Sequence, residues 1–166
     1  MISAGYVRTM AAYNAEMNRR VYGAAARLPD ARRHEQLGAF WGSIHGTLCH
    51  LLWADQMWMS RLDGWDKPPV GLRQSGGMVQ DFDELNARRA AADAALSDWA
   101  GRVEDAWLAG ELVYFSGSAQ REVRRPRWFL ITHLFNHQTH HRGQVHALLT
   151  ASGEQTGDTD LPIIMA

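Results

Sequence analysis

Residues 127–151 read RWFLITHLFNHQTHHRGQVHALLTA, and this stretch decides the fold. Pro126 stands just before it and Gly153 just beyond it, residue types that favour a helix start and stop. Leu130, Leu134, His137, His141, Val145 and Leu148 recur at spacings of three and four, so they share one helix face. That face is apolar apart from two imidazoles one turn apart. Such a helix must bury this face against other helices, and the histidines are buried with it.

Three earlier segments can cover it. The first runs from about Val7 to Leu28, with Met10, Tyr13, Met17, Val21, Ala24 and Leu28 on one face. Pro29 interrupts it, and Asp30 is placed to cap the next helix. The second runs from about Arg33 to Leu62. Leu37, Phe40, Trp41, Ile44, Leu48, Leu51, Asp55, Trp58 and Leu62 share its broad side, and Asp55 is the one charge among them. The stretch 64–80, GWDKPPVGLRQSGGMVQ, reads as a loop lying on the surface. The third helix starts at Asp81, with Glu84 three residues on, close to a capping box. Leu85, Arg89, Ala92, Leu96, Trp99 and Val103 line its face. Between the third and fourth, Leu112–Phe115 is β-prone, Ser116-Gly117-Ser118 reads as a turn, and Arg121, Val123 and Arg125 alternate on a return strand. The expected fold is all-α. It is a four-helix bundle forming one domain over residues 1–166, with a long second connection and a small β-hairpin before the last helix.

Composition excludes several functions. Seventeen basic and eighteen acidic residues give a net charge of -1, so there is no electrostatic case for nucleic-acid binding. The single cysteine, Cys49, rules out an intrachain disulfide and a thiolate-rich metal site. No apolar run approaches the roughly 20 residues that span a bilayer, and the N-terminus lacks a signal-type apolar core. No membrane association and a cytoplasmic location are expected.

The histidines carry the chemical signal: five of eight fall within 133–146. Neutral imidazoles four residues apart on a helix chelate one divalent ion, but a third ligand must come from another helix. His45 and His50 lie on opposite flanks of the second segment's apolar stripe, and periodicity leaves both open. There is no HExxH and no ExxH, so the usual metalloprotease and carboxylate di-metal patterns are missing. Three nitrogens and an open coordination position remain, the pattern of a catalytic site. His133 and His140 share a flank of the last helix and are candidates for proton transfer, and Gln144 is placed to orient an imidazole. His34 and His146 read as surface residues. Asp55 needs a buried partner, and Arg142 is the candidate. Cys49 points about 100° away from His50 and reads as a small buried hydrophobe. Trp65 and Tyr114 are candidates to line an entrance, and Arg121, Arg124, Arg125 and Arg127 form a basic run that reads as a solvated hairpin rim, the alternative being a site for an anionic thiol cofactor or acidic substrate.

The run Asn136-His137-Gln138-Thr139-His140-His141-Arg142-Gly143-Gln144, followed by Leu148, Leu149 and Gly153, resembles the final helix of the DinB/YfiT-like metalloenzyme family. The stretch from Ser43 to Asp55, SIHGTLCHLLWAD, is similar to that family's second helix, and AAYNAEMNRRVYGAAARLPD to its first. The resemblance spans nearly the whole chain and is weakest over 64–80 and 105–125. It implies a four-helix bundle, a homodimer, and one divalent ion, zinc or nickel, held by His50, His137 and His141. It also implies a small-molecule substrate and a low-molecular-weight thiol, because relatives include S-transferases using bacillithiol, glutathione or mycothiol, and a maleylpyruvate isomerase. His133, His140 and Gln144 are then the candidate catalytic residues, either for hydrolysis by a metal-bound water or for S-transfer by a bound thiolate, the second being what the resemblance favours. The competing expectation is a non-catalytic dimerisation or stress-response module whose histidines pack or bind metal without turnover.

Overall fold

The computed structural model describes residues 1–117 and 119–166. Four long helices dominate it: α1 (Ala4–Ala26), α3 (Ile44–Leu62), α4 (Phe82–Arg102) and α6 (Arg127–Ala151). Shorter helices are α2 (Asp30–His34), α5 (Asp105–Leu108) and α7 (Leu161–Ile164). Strands β1 (Glu111–Ser116) and β2 (Arg121–Pro126) pair antiparallel, with Leu112 opposite Arg125 and Tyr114 opposite Val123. The hairpin expected from the sequence is therefore present. Its expected turn includes Ser118, which lies outside the described residues.

Hydroxyl and carboxylate caps fix three helix starts. Ser3 Oγ accepts from the Tyr6 N–H at 3.1 Å, Ser43 Oγ from Gly46 at 3.0 Å, and Asp81 Oδ1 from Glu84 at 2.7 Å. Asp30 does not cap α2 as expected: Pro29 holds the cap position and Asp30 begins the helix, pairing with Arg33 at 3.1 Å.

The second segment is shorter than its apolar spacing implies. The chain leaves α2 at His34 and re-enters helix only at Ile44. Gly38 and Gly42 between them adopt φ of 78° and 79°, a conformation that breaks a helix and that glycine tolerates. Phe40 is consequently 80% exposed rather than in the core.

Helices α1 and α3 each pack against both α4 and α6. The apolar core falls into two clusters. One contains Val21, Leu48, Leu85 and Val145, the other Val7, Met59, Leu96 and Leu134. In every long helix a buried polar residue falls between the stretches serving the two clusters: Asn14 and Asn18 in α1, Asp55 in α3, Arg89 and Asp93 in α4, Gln138 and Arg142 in α6. A polar layer thus crosses the middle of the helix packing.

The 64–80 connection is not simply a surface loop. Its 3-10 helix, Leu72–Gly77, packs on α3, and Ser75 and Val79 are buried. The Val70 carbonyl accepts from Trp53 Nε1 at 2.8 Å. The tail lies on α1, where Tyr13 donates its hydroxyl to the Thr159 carbonyl at 2.6 Å. No helix among the described residues is long and apolar enough to cross a membrane.

Candidate metal centre

His50 lies in the second turn of α3, just after the Ser43 cap. A Cβ on Gly46 would stand 2.4 Å from the Trp41 carbonyl oxygen, so only glycine admits the incoming chain there. That close approach lays Trp41 flat against His50, with ring centroids 4.0 Å apart and planes 19° apart. Trp53, one turn further on, stacks on the same imidazole at 5.9 Å.

From α6, His137 and His141 present rings 4.5 Å apart. The His50 ring is 5.1 Å from the first and 4.8 Å from the second. The three side chains offer nitrogens that all lie within 4.8 Å of one another, and His50 Nε2 is 3.1 Å from His137 Nε2. In a tetrahedral site with bonds of 2.0–2.1 Å, ligand nitrogens are separated by about 3.4 Å. The His50–His137 pair, at 3.1 Å, is already near that spacing.

The protonation states suit a cation. Burial pushes His50 down to about 3, with His137 and His141 adding to the effect. Burial, followed by His141, His133 and His140, pushes His137 down to about 4. Burial lowers His141 as well, against the opposing effect of the hydrogen bond it makes to Gln144. All three are neutral at pH 7, the form in which imidazole is a ligand. Gln144 Oε1 lies 2.8 Å from His141 Nδ1; as an acceptor it assigns the proton to Nδ1 and leaves Nε2 its lone pair. Ser75 Oγ, 2.9 Å from His50 Nδ1, can accept in the same way. His137 Nδ1 is buried with no hydrogen-bond partner among the described residues. Without a cation, the facing nitrogens of His50 and His137 must share a proton; with one, both serve as lone-pair donors. The donor set fits a divalent transition-metal ion.

Partners that orient imidazoles are typically worth about 10–100-fold in metal affinity. Ser75→Ala and Gln144→Leu are each expected to weaken zinc binding within that range while leaving the fold intact. Competition against a chromophoric chelator measures this, and unchanged affinity in both variants would remove the orienting role.

The remaining sequence candidates scatter. His45 turns away: its Nε2 is 2.8 Å from the Val79 carbonyl, and its ring stacks on exposed His34 at 4.1 Å. His140 is exposed, with Nε2 3.3 Å from Gln144 Nε2. His133 is exposed beside the centre, its ring 5.8 Å from that of His137. His146, expected at the surface, is half-buried, its Nδ1 2.6 Å from Thr156 Oγ1 in the tail. Cys49 is buried, and burial pushes its thiol up to about 11, so it is no nucleophile. Of the arginine run, Arg124 pairs with Glu111 at 3.1 Å and Arg127 stacks over Trp107 at 4.6 Å.

Two expectations are corrected. Asp55 does not pair with Arg142. It binds Arg89 Nη1 at 2.7 Å and accepts from Gln138 Nε2, whereas Arg142 donates to Asn14 and, at 3.3 Å, to Gln138. Arg89 faces Asp55 across the α3–α4 contact, and Gln138 stands between Asp55 and Arg142. Trp65 does not line an entrance but packs on the core, with Nε1 bonded to Asp63 at 3.2 Å. Tyr114 does line a cavity, of about 860 Å³, together with Trp53, Trp58, Arg61 and His133. Ser75 was not a sequence candidate. Nothing in Gln74-Ser75-Gly76-Gly77 distinguishes an imidazole partner from a turn residue.

The DinB family model matches residues 1–166. The chain belongs to the DinB family. Among solved structures it is similar to a DinB-like protein from Bacillus cereus ATCC 10987. That match has 15% identity and a TM-score of 0.63, and covers 86% of this chain and 89% of the other. At that identity the likeness supports a shared DinB fold and nothing finer. No curated protein matches the chain. Family membership and the three converging imidazoles are together compatible with metal binding.

Proposed function

We propose that this DinB family protein is a divalent-metal-dependent enzyme that joins an intact low-molecular-weight thiol through its sulfur to a small electrophile, the S–H proton being released as the new S–C bond forms. The observation that carries the reading is the meeting of three neutral imidazoles from two helices, two of them with a polar partner at Nδ1. His50, His137 and His141 would hold one ion, zinc or nickel. Such an ion supplies a Lewis acid with a free position at which a thiol loses its proton near neutral pH.

The chain's own groups do the rest. Ser75 and Gln144 hold two imidazoles in one tautomer, and Trp41 and Trp53 keep water from the His50 ring. His133, between the cavity and His137, and His140, beside Gln144, are the groups that accept and return protons. The four long helices are read as a four-helix bundle forming one domain over the full 166 residues. A homodimer belongs to the same reading, with exposed Phe40, Phe115 and Phe129 as the apolar surface available for it. So does a cytoplasmic location, where small thiols and Cys49 stay reduced.

Glutathione, bacillithiol or mycothiol added to the nickel-loaded protein should produce a thiolate-to-metal charge-transfer absorption that is absent from the metal-free protein. No such band with any of the three would overturn the thiol reading and favour a module that binds metal without turnover.

A further inference from the structure

The cavity of about 860 Å³ is lined from α3, the start of the Leu72–Gly77 3-10 helix, the hairpin and α6, which contributes His133. Its walls are largely apolar: Trp53, Met57, Trp58, Leu72 and Tyr114. Two arginines line it, of which Arg73 is exposed and Arg61 is half-buried against aromatic rings. The Arg61 guanidinium carbon lies 4.5 Å from the centre of the Tyr114 ring and 4.8 Å from that of Trp58. Those two rings are 5.7 Å apart and inclined at 72°, so together they cradle the planar group. Cation–π attraction holds the guanidinium in place without supplying it a carboxylate partner.

Arg61 is half-buried, yet no Asp or Glu among the described residues forms an ion pair with it. Asp63, two positions on, pairs with Arg102 at 3.1 Å instead. Burial lowers the pKa of Arg61, as expected for a cation short of counter-charge. The cradle also adjoins the histidines. Trp58 packs edge-on against His133 at 5.2 Å, and His133 stands 5.8 Å from His137. A molecule with its charged end at Arg61 and its apolar body along the cavity lies beside the metal centre.

We propose that this cavity takes a small organic anion, a carboxylate on an aromatic or alkyl body, and that Arg61 in its Trp58–Tyr114 cradle reads the charge. This deepens the reading above by naming the class of its second substrate. It rests on that reading only for the reaction that follows binding.

The probes are 2-naphthoate and its neutral isostere 2-naphthamide, titrated calorimetrically into the zinc-loaded protein, the metal-free protein and the Arg61→Gln and Arg61→Lys variants. Naphthoate is expected to bind at least about tenfold more tightly than naphthamide, in line with a charge-assisted hydrogen bond. The preference should persist without metal, vanish in Arg61→Gln, and be partly kept in Arg61→Lys, with zinc content unchanged in both variants. Should Arg61→Gln fail to fold, the two probes on the unaltered chain and Arg61→Lys decide alone. Equal affinity for both probes, binding of neither at millimolar concentration, or a preference that needs zinc and survives Arg61→Gln would each overturn the proposal. In the last case the ion, not Arg61, would be reading the anion. Loss of zinc binding with the preference intact would instead overturn the metal reading and leave this one standing.

Discussion

His137→Ala is expected to lower zinc or nickel affinity by more than about a hundredfold, beyond the usual cost of losing an orienting partner. The reason is geometric. His137 Nε2 stands 3.1 Å from His50 Nε2, so its loss removes the nitrogen that faces the other helix. The remaining pair cannot complete a three-nitrogen site. His50→Ala and His141→Ala should behave alike, whereas His45→Ala should retain metal because that ring is committed to the Val79 carbonyl. Metal content after exhaustive dialysis measures all four. Stoichiometric zinc in His137→Ala, or its loss in His45→Ala, would show that a different set of side chains holds the ion.

The second large effect lies in the polar layer. Arg89→Met is expected to cost about 3–5 kcal/mol, the usual penalty for leaving buried charge without its partner. Folded domains have only about 5–15 kcal/mol in hand. Arg89 is 2% exposed and serves two carboxylates, Asp55 at 2.7 Å and Asp93 at 2.8 Å. Burial alone would discharge it, but Asp93 and Asp55 more than offset that and hold its pKa above the ordinary arginine value. Arg142 lacks such carboxylate contacts, and burial pushes it down to about 10. Removing Arg89 leaves both acids buried without their cation, Asp55 keeping the amide of Gln138 and Asp93 that of Asn18. The control is Arg102→Ala at the exposed Arg102–Asp63 pair, where less than about 1 kcal/mol is expected. Urea midpoints at constant slope give both numbers. Equal midpoints for the two variants would mean that the layer is not a stabilising element.

Most of the helical frame is legible in the sequence because period and caps agree. Asp81 with Glu84 marks the start of α4, and Pro126 and Gly153 bracket α6. Around Phe40 they disagree. Leu37, Phe40 and Trp41 continue a helical spacing, but Gly38 and Gly42 stop the helix, and spacing alone is blind to backbone dihedrals. The partner of Asp55 was also within reach. Arg89 is the one charged residue on the face formed by Leu85, Ala92 and Leu96, and a charge on each of two apolar faces is a pairing signal. Arg142 drew attention by lying next to His141, a nearness along the chain rather than in space. The His50–His137–His141 set needed more than periodicity, which left His45 equally placed. The structure separates them because Trp41 packs over His50, while the 3-10 helix contributes Ser75 to it. That helix, like the cradle around Arg61, joins residues from distant segments and has no local pattern to announce it.

His50 and His137 are 87 positions apart in the chain. An ion grasped by both therefore ties a loop of that length, much as a crosslink would, but one that can be undone. Loop-closure entropy removed from the unfolded chain, together with mass action on the folded one, would make cation supply a determinant of how long each molecule survives. Starvation for the ion would then thin the population by proteolysis.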